Sequence, residues 1–261
     1  MIRRPPRSTP KPSSAASDVY KRQVGIRPVV VHGGAPQIGG MLDRLGMESQ
    51  FVDGLRVTDS DTLDVARMVL VGKVNRDIVS SINIHGPLAV GISGEDAGLI
   101  IAKSHNKDLG FVGEVQDVNP SLIESLLKEG HIPVISSIGA DGSGQSYNIN
   151  ADTVASSLAT ALKAKRIIYL TDIEGLRADM EDPESHISEI EISNLEEMVE
   201  GGTISGGMIP KAKACLEAIE AGVGSAHMVD GRIPHVILLE LFTDSGIGTM
   251  VLPDQENKND T

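Results

Sequence analysis

Cysteine, aromatic side chains and positive charge are all scarce in this chain of 261 residues. It has one cysteine, Cys215, and no tryptophan, and aromatic residues make up only 2% of the sequence. A lone cysteine cannot form an internal disulfide, which excludes a disulfide framework and suits the reducing cytoplasm. The fold must therefore depend on the 40% of residues that are hydrophobic, enough to fill the core of a large α/β domain.

Basic residues are outnumbered by acidic ones, 23 against 36, which gives a net charge of −13. A protein with this charge is repelled by nucleic-acid phosphates and by anionic membrane surfaces, so we expect neither as a partner. Long apolar runs are missing as well. Apolar runs such as 29–31 and 236–239 fall far short of the roughly 20 residues that a spanning helix needs.

Several catalytic and metal-binding motifs are also absent. The sequence contains no G-x-x-x-x-G-K-[ST] loop, no G-x-G-x-x-G turn, no G-x-S-x-G elbow and no H-E-x-x-H pair. With one cysteine and no paired histidine spacing, a structural zinc site is not expected. We predict no metal-ligating residues in the chain.

Residues 1–23 differ from the rest in composition. They hold four of the 13 prolines, six basic residues and one acid. Low hydrophobicity and proline predict disorder. We interpret 1–23 as a non-native leader resembling translated adapter sequence, with a native disordered arm or an organellar import peptide as the alternatives. The folded domain is expected over 24–252, and 253–261 is expected to fray.

From residue 28 onwards, short β-branched runs alternate with longer stretches of helical periodicity. This rhythm predicts a three-layer αβα sandwich around a largely parallel sheet. The predicted strands are 28–32, 87–92, 132–139, 166–173, 225–230 and 248–252, with a hairpin over 99–119. The predicted helices are 36–45, 61–85, 120–128, 151–163, 193–200, 210–221 and 234–240.

Loops that follow strands are where such sheets bind ligands. His32-Gly33-Gly34-Ala35-Pro36 opens a helix and presents free backbone N–H groups to a phosphate or carboxylate, although paired glycines also make plain turns. Arg56 lies beside a predicted helix start and suits a carboxylate, but a single arginine is also a common surface ion-pair partner.

Three further segments carry polar side chains at strand or helix ends. Asn148 to Asp152 precedes a helix, where Asn150 or Asp152 is equally suited to capping. Lys211 stands near a helix N-terminus, where a cation is unfavourable unless an anion or a carboxylate such as Asp152 compensates it. Thr171 to Leu176 follows a strand, either as a nucleotide-binding loop or as an acidic turn.

Together these segments resemble the acetylglutamate kinase branch of the amino-acid kinase family. The resemblance covers residues 24–252 and rests on blocks that occur in the family's order: VVVHGGAPQI, DGLRVTD, GKVNRDIV, SGEDAGLI, QSYNINADTVA, YLTDIEGL, GGMIPK and AHMVDGRIPHVILLELFTDSGIGT. It implies a phosphotransferase with a carboxyl acceptor, which uses ATP and Mg²⁺ to phosphorylate the γ-carboxylate of N-acetyl-L-glutamate in arginine biosynthesis. Residues 24–165 would bind N-acetylglutamate and 166–252 would bind ATP.

The resemblance also implies roles for individual residues. Lys211 matches the catalytic lysine on the nucleotide side, and Asp152 matches the aspartate that organises the catalytic lysines. Residues implied to bind the substrate are Gly34, Ala35, Arg56 and Asn148. Those implied to bind ATP are Thr171, Asp172, Gly175, Leu176 and Met208, and those implied to form an allosteric arginine site are His227, Glu240 and Gly246.

The sequence departs from the family at two places. Ala35 stands where members carry a third glycine, so its methyl group either crowds the phosphate loop or is harmless if φ is negative. The family's first strand, which ends in a lysine and a glycine pair, has no counterpart in residues 1–23. We therefore expect this polypeptide to be severely impaired as a kinase.

The resemblance bears on regulation and assembly as well. It favours L-arginine as a feedback inhibitor and a homodimer through the sheet region. The arginine-inhibited members build a hexamer from an N-terminal helix that the sequence does not display, so a hexamer is not expected.

Three alternatives stay open at this stage. One is another amino-acid kinase, acting on carbamate, aspartate or a nucleoside monophosphate. Another is a non-catalytic arginine-sensing subunit, because the sensing residues are present and one catalytic lysine is not. The last is a dinucleotide-binding domain, which the missing glycine pattern disfavours.

Overall fold

The computed structural model describes residues 26–52, 54–179, 182, 185–204, 208–243 and 246–254. The predictions for residues 1–23, including those on the first strand, lie outside the described residues. In the described part of the chain, no helix is both long and apolar enough to cross a membrane.

The predicted alternation of strands and helices is confirmed. The helices are α1 (Ala35–Leu45), α2 (Ser60–Arg67), α3 (Asn75–Asn83), α4 (Ser121–Lys128), α5 (Ala151–Ala161), α6 (Ile192–Glu200), α7 (Met208–Glu220) and α8 (Val236–Phe242). The strands are β1 (Val30–His32), β2 (Phe51–Val52), β3 (Leu55–Arg56), β4 (Ala89–Ser93), β5 (Ile100–Ser104), β6 (Val112–Val118), β7 (Ile132–Ser136), β8 (Ile138–Ala140), β9 (Ser146–Ile149), β10 (Ile167–Thr171), β11 (Leu176–Arg177), β12 (His186–Ile187), β13 (Glu189–Glu191), β14 (Ala226–Asp230) and β15 (Thr249–Leu252).

A parallel sheet in the order β1-β7-β4 forms the centre of the N-terminal half. All residues of β7 are buried, as expected for a strand covered on both faces. Val134 packs in a cluster with Ile82 of α3, whereas the next residue, Ile135, packs with Ile123 of α4 and with α5. Alternate side chains thus enter two cores on opposite faces of the sheet, which is the predicted three-layer arrangement.

The C-terminal half has its own sheet in the order β10-β14-β15-β13. Here β10 pairs with β14 in parallel, while β14 and β15 run antiparallel. Tyr169 faces a core with Cys215 of α7, and its neighbour Ile168 packs with Val236 of α8. In the described residues the strands of the predicted central sheet are therefore divided between these two sheets. Helix α5 contacts the edge strand of each, β1 and β10.

Two segments depart in detail from the sequence prediction. The helix expected over 61–85 runs from Ser60 to Asn83 but contains a π-helical segment, Met68–Val74. Residues Leu70 and Val74 of that segment pack beside the glycine turn that follows β1. The strand expected over 132–139 divides at Ser137, where the chain leaves the first sheet and enters the small barrel β5-β6-β9-β8.

Candidate active site

The turn Gly33-Gly34 follows β1 at the carboxyl edge of the first sheet. Gly34 caps helix α1 without a side-chain hydrogen bond, so the first backbone N–H groups of the helix have no side-chain acceptor. A Cβ atom on Gly34 would lie 2.8 Å from a methyl group of Leu70. One on Gly33 would lie 3.2 Å from Ala151, the first residue of α5. The glycines therefore let a helix N-terminus sit against both neighbours, in a geometry suited to an anion.

Ala35 does not crowd this turn. It is the first residue of α1 and is exposed, and it is not among the described non-glycine residues with positive φ. The backbone at Ala35 is therefore not in the left-handed region, which is the condition under which its methyl group was expected to be harmless.

Arg56 lies beside the glycine turn and is only 7% exposed. Its guanidinium donates to the Ala35 carbonyl at 3.0 Å and to the Ser49 hydroxyl, and it lies 4.5 Å from the centre of the Phe51 ring. Burial lowers the pKa of Arg56, and the charge of Asp43 opposes that shift. Within the described residues no carboxylate oxygen lies within 4.0 Å of it. A buried cation without a carboxylate partner is a site for an anionic ligand.

Asn148 reaches the same region from β9. Its amide nitrogen donates to the hydroxyl of Thr58 at 3.4 Å, and that hydroxyl donates to the Arg56 carbonyl at 2.8 Å. Thr58 is fully buried. A chain of side-chain and backbone contacts thus connects two residues that are distant in sequence, which places Arg56 and Asn148 in one site.

Asn150, rather than Asp152, caps helix α5. The Asn150 side chain accepts from the backbone N–H of Asp152 at 2.8 Å and of Thr153 at 3.2 Å. The carboxyl group of Asp152 is therefore not needed as the helix cap. Burial raises its pKa, and the ammonium group of Lys211 opposes the rise.

Lys211 stands in the first turn of α7. Its ammonium group forms no ion pair or hydrogen bond with the described residues, and its distance from the Asp152 carboxylate exceeds 4.0 Å. The two groups are nevertheless coupled through space. Asp152 and Lys211 are therefore close enough to interact electrostatically without forming an ion pair.

A buried pair that the sequence analysis missed lies behind the glycine turn. Nδ1 of His32 lies 3.0 Å from the Gly33 carbonyl, and its Nε2 lies 3.1 Å from the amide nitrogen of Asn75. Because the carbonyl only accepts and the amide nitrogen only donates, His32 carries its proton on Nδ1 and is neutral. Burial lowers its pKa, in agreement with the neutral form. Only the fold brings these residues, 43 positions apart, together.

The predicted ATP-binding residues line a second region, at the carboxyl end of β10. Asp172, Gly175, Leu176 and Met208 border a cavity of about 250 Å³, together with Ile204 and Arg232. The backbone of Gly175 has φ 135°, and a Cβ atom there would lie 2.7 Å from the Thr249 hydroxyl. Thr171 does not line the cavity; its hydroxyl donates to the Ile173 carbonyl at 2.9 Å and so shapes the loop.

The predicted arginine-binding residues form a third cluster. His227 Nδ1 lies 2.7 Å from an oxygen of Glu240, and both side chains are buried. The other Glu240 oxygen accepts from the backbone N–H groups of Ile247 and Gly248 at 2.8 and 3.0 Å. Gly246 has φ 60°, and a Cβ atom there would lie 2.8 Å from this carboxylate. These contacts hold β14, α8 and the loop before β15 together.

The predicted site residues lie in two regions of the described residues, which we call the acceptor side and the nucleotide side after their predicted roles. Gly34, Ala35, Arg56 and Asn148 lie around the glycine turn, and Asp172 and Gly175 line the cavity that follows β10. Asp152 and Lys211 lie on helices that pack together, and α5 contacts a strand of each sheet. Gly206 and Gly207, which precede α7, lie outside the described residues. The predicted arginine site is separate from both sides.

Known proteins match most of the length of this chain. Residues 10–230 match the amino acid kinase family. The acetylglutamate kinase of Desulforamulus reducens is 55% identical over 240 residues, 90% of this chain and 83% of that protein. That of Trichormus variabilis is 53% identical over 238 residues, 91% of this chain and 80% of that protein.

Solved structures show the same fold at lower identity. The structure of N-acetylglutamate synthase from Neisseria gonorrhoeae, complexed with coenzyme A and N-acetyl-glutamate, has a TM-score of 0.82 and 22% identity. The match covers 94% of this chain and 56% of that one. With a family match over most of its length and relatives above 50% identity, the chain belongs to the amino acid kinase family.

Proposed function

We propose that the chain transfers a phosphoryl group from ATP to the γ-carboxylate of N-acetyl-L-glutamate, which yields N-acetyl-L-glutamyl 5-phosphate in arginine biosynthesis, and that it does so at a severely reduced rate. The observation that carries the proposal is the buried guanidinium of Arg56, which has no carboxylate partner among the described residues and lies beside a helix N-terminus. The two acetylglutamate kinases that are 55% and 53% identical support the same acceptor.

In this proposal the acceptor side binds the amino acid by its charges. Arg56 grips the α-carboxylate, because two of its nitrogens are already oriented by Ala35 and Ser49. Asn148 donates to the bound substrate, and the backbone at Gly34 and Ala35 meets the transferring phosphoryl group. The γ-carboxylate is itself the nucleophile, so no protein nucleophile is required and positioning supplies the catalysis.

The nucleotide side holds the donor. The loop at Asp172, Gly175 and Leu176, with Met208, takes ATP in its cavity, and Thr171 maintains the loop. Lys211 neutralises charge on the phosphoryl group, and Asp152 orients that lysine. Mg²⁺ bound together with ATP would supply further charge neutralisation at the phosphoryl group.

The test is formation of an acyl phosphate. Purified protein is incubated with ATP, Mg²⁺ and N-acetyl-L-glutamate, and hydroxylamine traps the product as a hydroxamate. L-Glutamate, whose amine is free, is the matched control acceptor, and carbamate and L-aspartate test the other carboxylate kinases. ADP release with a nucleoside monophosphate tests a nucleotide kinase, whose product is not an acyl phosphate. Hydroxamate formed faster with another carboxylate would overturn the proposed substrate.

We propose L-arginine as a regulatory ligand at His227, Glu240 and Gly246. Support comes from the short distances within this cluster and from the flanking sequence that resembles arginine-inhibited members. Titration calorimetry with L-arginine, with D-arginine as control, tests this without any need for turnover. No heat with L-arginine would contradict it, whereas heat without ATP turnover would favour the sensing subunit over the kinase.

We further propose a cytoplasmic homodimer. The single cysteine, which is buried and free, fits a reducing compartment. Sedimentation equilibrium measures the assembly directly, and a monomer or a hexamer would contradict the dimer.

A further inference from the structure

A buried pair of hydroxyl groups connects helix α5 to helix α7. The Ser156 hydroxyl and the Tyr169 hydroxyl are 2.7 Å apart, and Tyr169 lies 3.2 Å from the carbonyl oxygen of Ala214. Ser156 is also 3.1 Å from the carbonyl oxygen of Asp152 in its own helix. Ser156, Tyr169 and Ala214 are all buried. A hydrogen-bonded chain therefore runs from α5, through β10, to α7, and the Ser156 hydroxyl also donates directly to the Ala214 carbonyl oxygen at 3.4 Å.

This chain lies one helical turn below the proposed catalytic pair. Ser156 follows Asp152 by four residues in α5, and Ala214 follows Lys211 by three residues in α7. Residues at these spacings share a helix face. The hydroxyl pair thus joins the two helices on the same faces that carry Asp152 and Lys211.

The core beside these hydrogen bonds includes several small side chains of the two helices, among them Ala155, Ala159, Ala212 and Cys215. Small apolar surfaces allow sliding with little change in contact, whereas hydrogen bonds are directional and are strengthened by a buried setting. Tyr169 also belongs to the strand that ends at Thr171, next to the nucleotide-side loop.

We propose that Tyr169, with Ser156, is a positioning residue that fixes the separation of Asp152 and Lys211 and aligns both with the nucleotide-side loop. This inference rests on the proposed phosphoryl transfer. Neither hydroxyl touches substrate; both act through the two helices. A shift of about 1 Å at a reacting group is enough to cost on the order of 100-fold in rate.

The test uses Tyr169→Phe, Ser156→Ala and the double variant in the full chain. Ser157→Ala is the matched control, since Ser157 makes the same type of bond to the carbonyl four residues earlier, at 3.0 Å, without reaching α7. We expect each single variant to lower kcat at least about tenfold while the KM for the acceptor changes less than about twofold. The control should keep the kcat of the parent protein.

The double variant tests the connection to α7 as a whole. After each single change the remaining hydroxyl still contacts the Ala214 carbonyl oxygen, at 3.4 Å for Ser156 and 3.2 Å for Tyr169, whereas the double change removes both contacts. We therefore expect the double variant to have a lower kcat than either single variant. An unchanged kcat in Tyr169→Phe, or a kcat in the double variant no lower than in the single variants, would overturn the positioning role.

A readout independent of turnover keeps this inference distinct from the proposed function. The pKa of Asp152, measured by carboxyl ¹³C NMR, is lowered by the ammonium group of Lys211. Asp152 also interacts electrostatically with Tyr169 itself and with Cys215. In Tyr169→Phe, a looser pair should titrate at higher pH, and an unchanged midpoint would contradict the inference. A parent protein that phosphorylates no N-acetyl-L-glutamate would overturn the proposed function alone.

Discussion

Arg56 shows how one residue acquires a binding role from its surroundings. Its charge is buried, its orientation is set by Ala35 and Ser49, and the Phe51 ring covers it. The sequence indicated an arginine suited to a carboxylate but also allowed a surface ion pair. The 7% exposure and the absence of a carboxylate partner among the described residues favour the first.

Replacing Arg56 should weaken binding of the acceptor. For Arg56→Ala, loss of a charged hydrogen-bonding group worth about 1.5–3 kcal/mol predicts a rise in the acceptor KM of roughly 10- to 100-fold. Steady-state kinetics with varied N-acetyl-L-glutamate measure this. Arg44→Ala, which removes an exposed arginine at the end of α1, is the control. Equal KM values for the two variants would contradict the assignment.

Ala97 holds a strained backbone conformation. Its φ is 54°, in the left-handed region where a Cβ atom is unfavourable, and its side chain is exposed. Ala97→Gly should therefore raise the free energy of unfolding by about 1 kcal/mol. Ala155→Gly, inside helix α5, should lower it by about the same amount. Urea titrations of both variants test the pair, and destabilisation by Ala97→Gly would refute the strain.

The buried side-chain partners of Asn75 and Asn148 could not be predicted from the sequence. The Asn75 side chain reaches His32, and the Asn148 side chain reaches Thr58, only after the chain folds. Asparagine capping follows local rules, so Asn150 was predictable as one of two candidates. The buried contacts depend on strand order and helix placement, for which a single sequence carries no local signal.

At the scale of elements, the start of helix α5 combines a cap with the proposed catalytic aspartate. Asn150→Ala removes two hydrogen bonds to the first turn and should cost about 1 kcal/mol of stability. It should also lower kcat, because Asp152 lies in the turn that frays. Asp59→Ala removes the cap of α2 and should cost similar stability. Equal kcat losses in the two variants would contradict a specific effect of the α5 cap on catalysis.

The junction of β14, α8 and β15 should respond to acid through Glu240. Burial alone would raise its pKa, but hydrogen bonds from His227 and from the backbone N–H groups of Ile247 and Gly248 lower it to about 2. A lowered folded-state pKa contributes stability at and above the unfolded value near 4.5 that is lost as pH falls towards 2.

Glu240→Gln should therefore lose less stability than the parent protein between pH 5 and about 2.5. Urea unfolding at several pH values measures the two slopes. Glu196→Gln, at an exposed position of α6, controls for the change in net charge. Identical acid slopes for the parent protein and Glu240→Gln would show that this carboxylate does not couple folding to pH.

Most elements follow from local patterns, and the exceptions have physical causes. Periodicity predicted α1, α4 and the hairpin β5-β6 to within a few residues. Periodicity did not predict the π-helical segment Met68–Val74. This segment packs against the glycine turn, and that contact between distant residues leaves no mark on the local hydrophobic pattern. The break at Ser137 depends on a change of sheet, which the β-strand pattern of residues 132–139 does not signal.

For the whole molecule, fold class was predictable and sheet assembly was not. Alternating strands and helices predicted the three layers, and β7 confirms them by packing on both faces. The antiparallel pairing of β14 with β15 and the small barrel require knowledge of which strands meet. Sequence pattern sets the faces of a strand but not its neighbour.

The net charge of −13 also acts on the whole molecule. Such a charge repels anionic substrates at long range, so a locally positive pocket at Arg56 and Lys211 has to attract them. Both are basic residues with no ion-pair partner among the described residues. The acidic composition thus disfavours nucleic acid as a partner but is compatible with a small anionic acceptor.

The acceptor specificity of ATP-dependent acyl phosphate formation is the sharpest test of the proposed function. The values of kcat/KM are compared for N-acetyl-L-glutamate, L-glutamate, L-aspartate and carbamate. We predict that kcat/KM for N-acetyl-L-glutamate exceeds that for the other acceptors by at least about 100-fold, as expected for a site that binds the polar groups of its substrate in a buried setting. A higher kcat/KM with any other acceptor, or phosphoryl transfer to none of them, would contradict it.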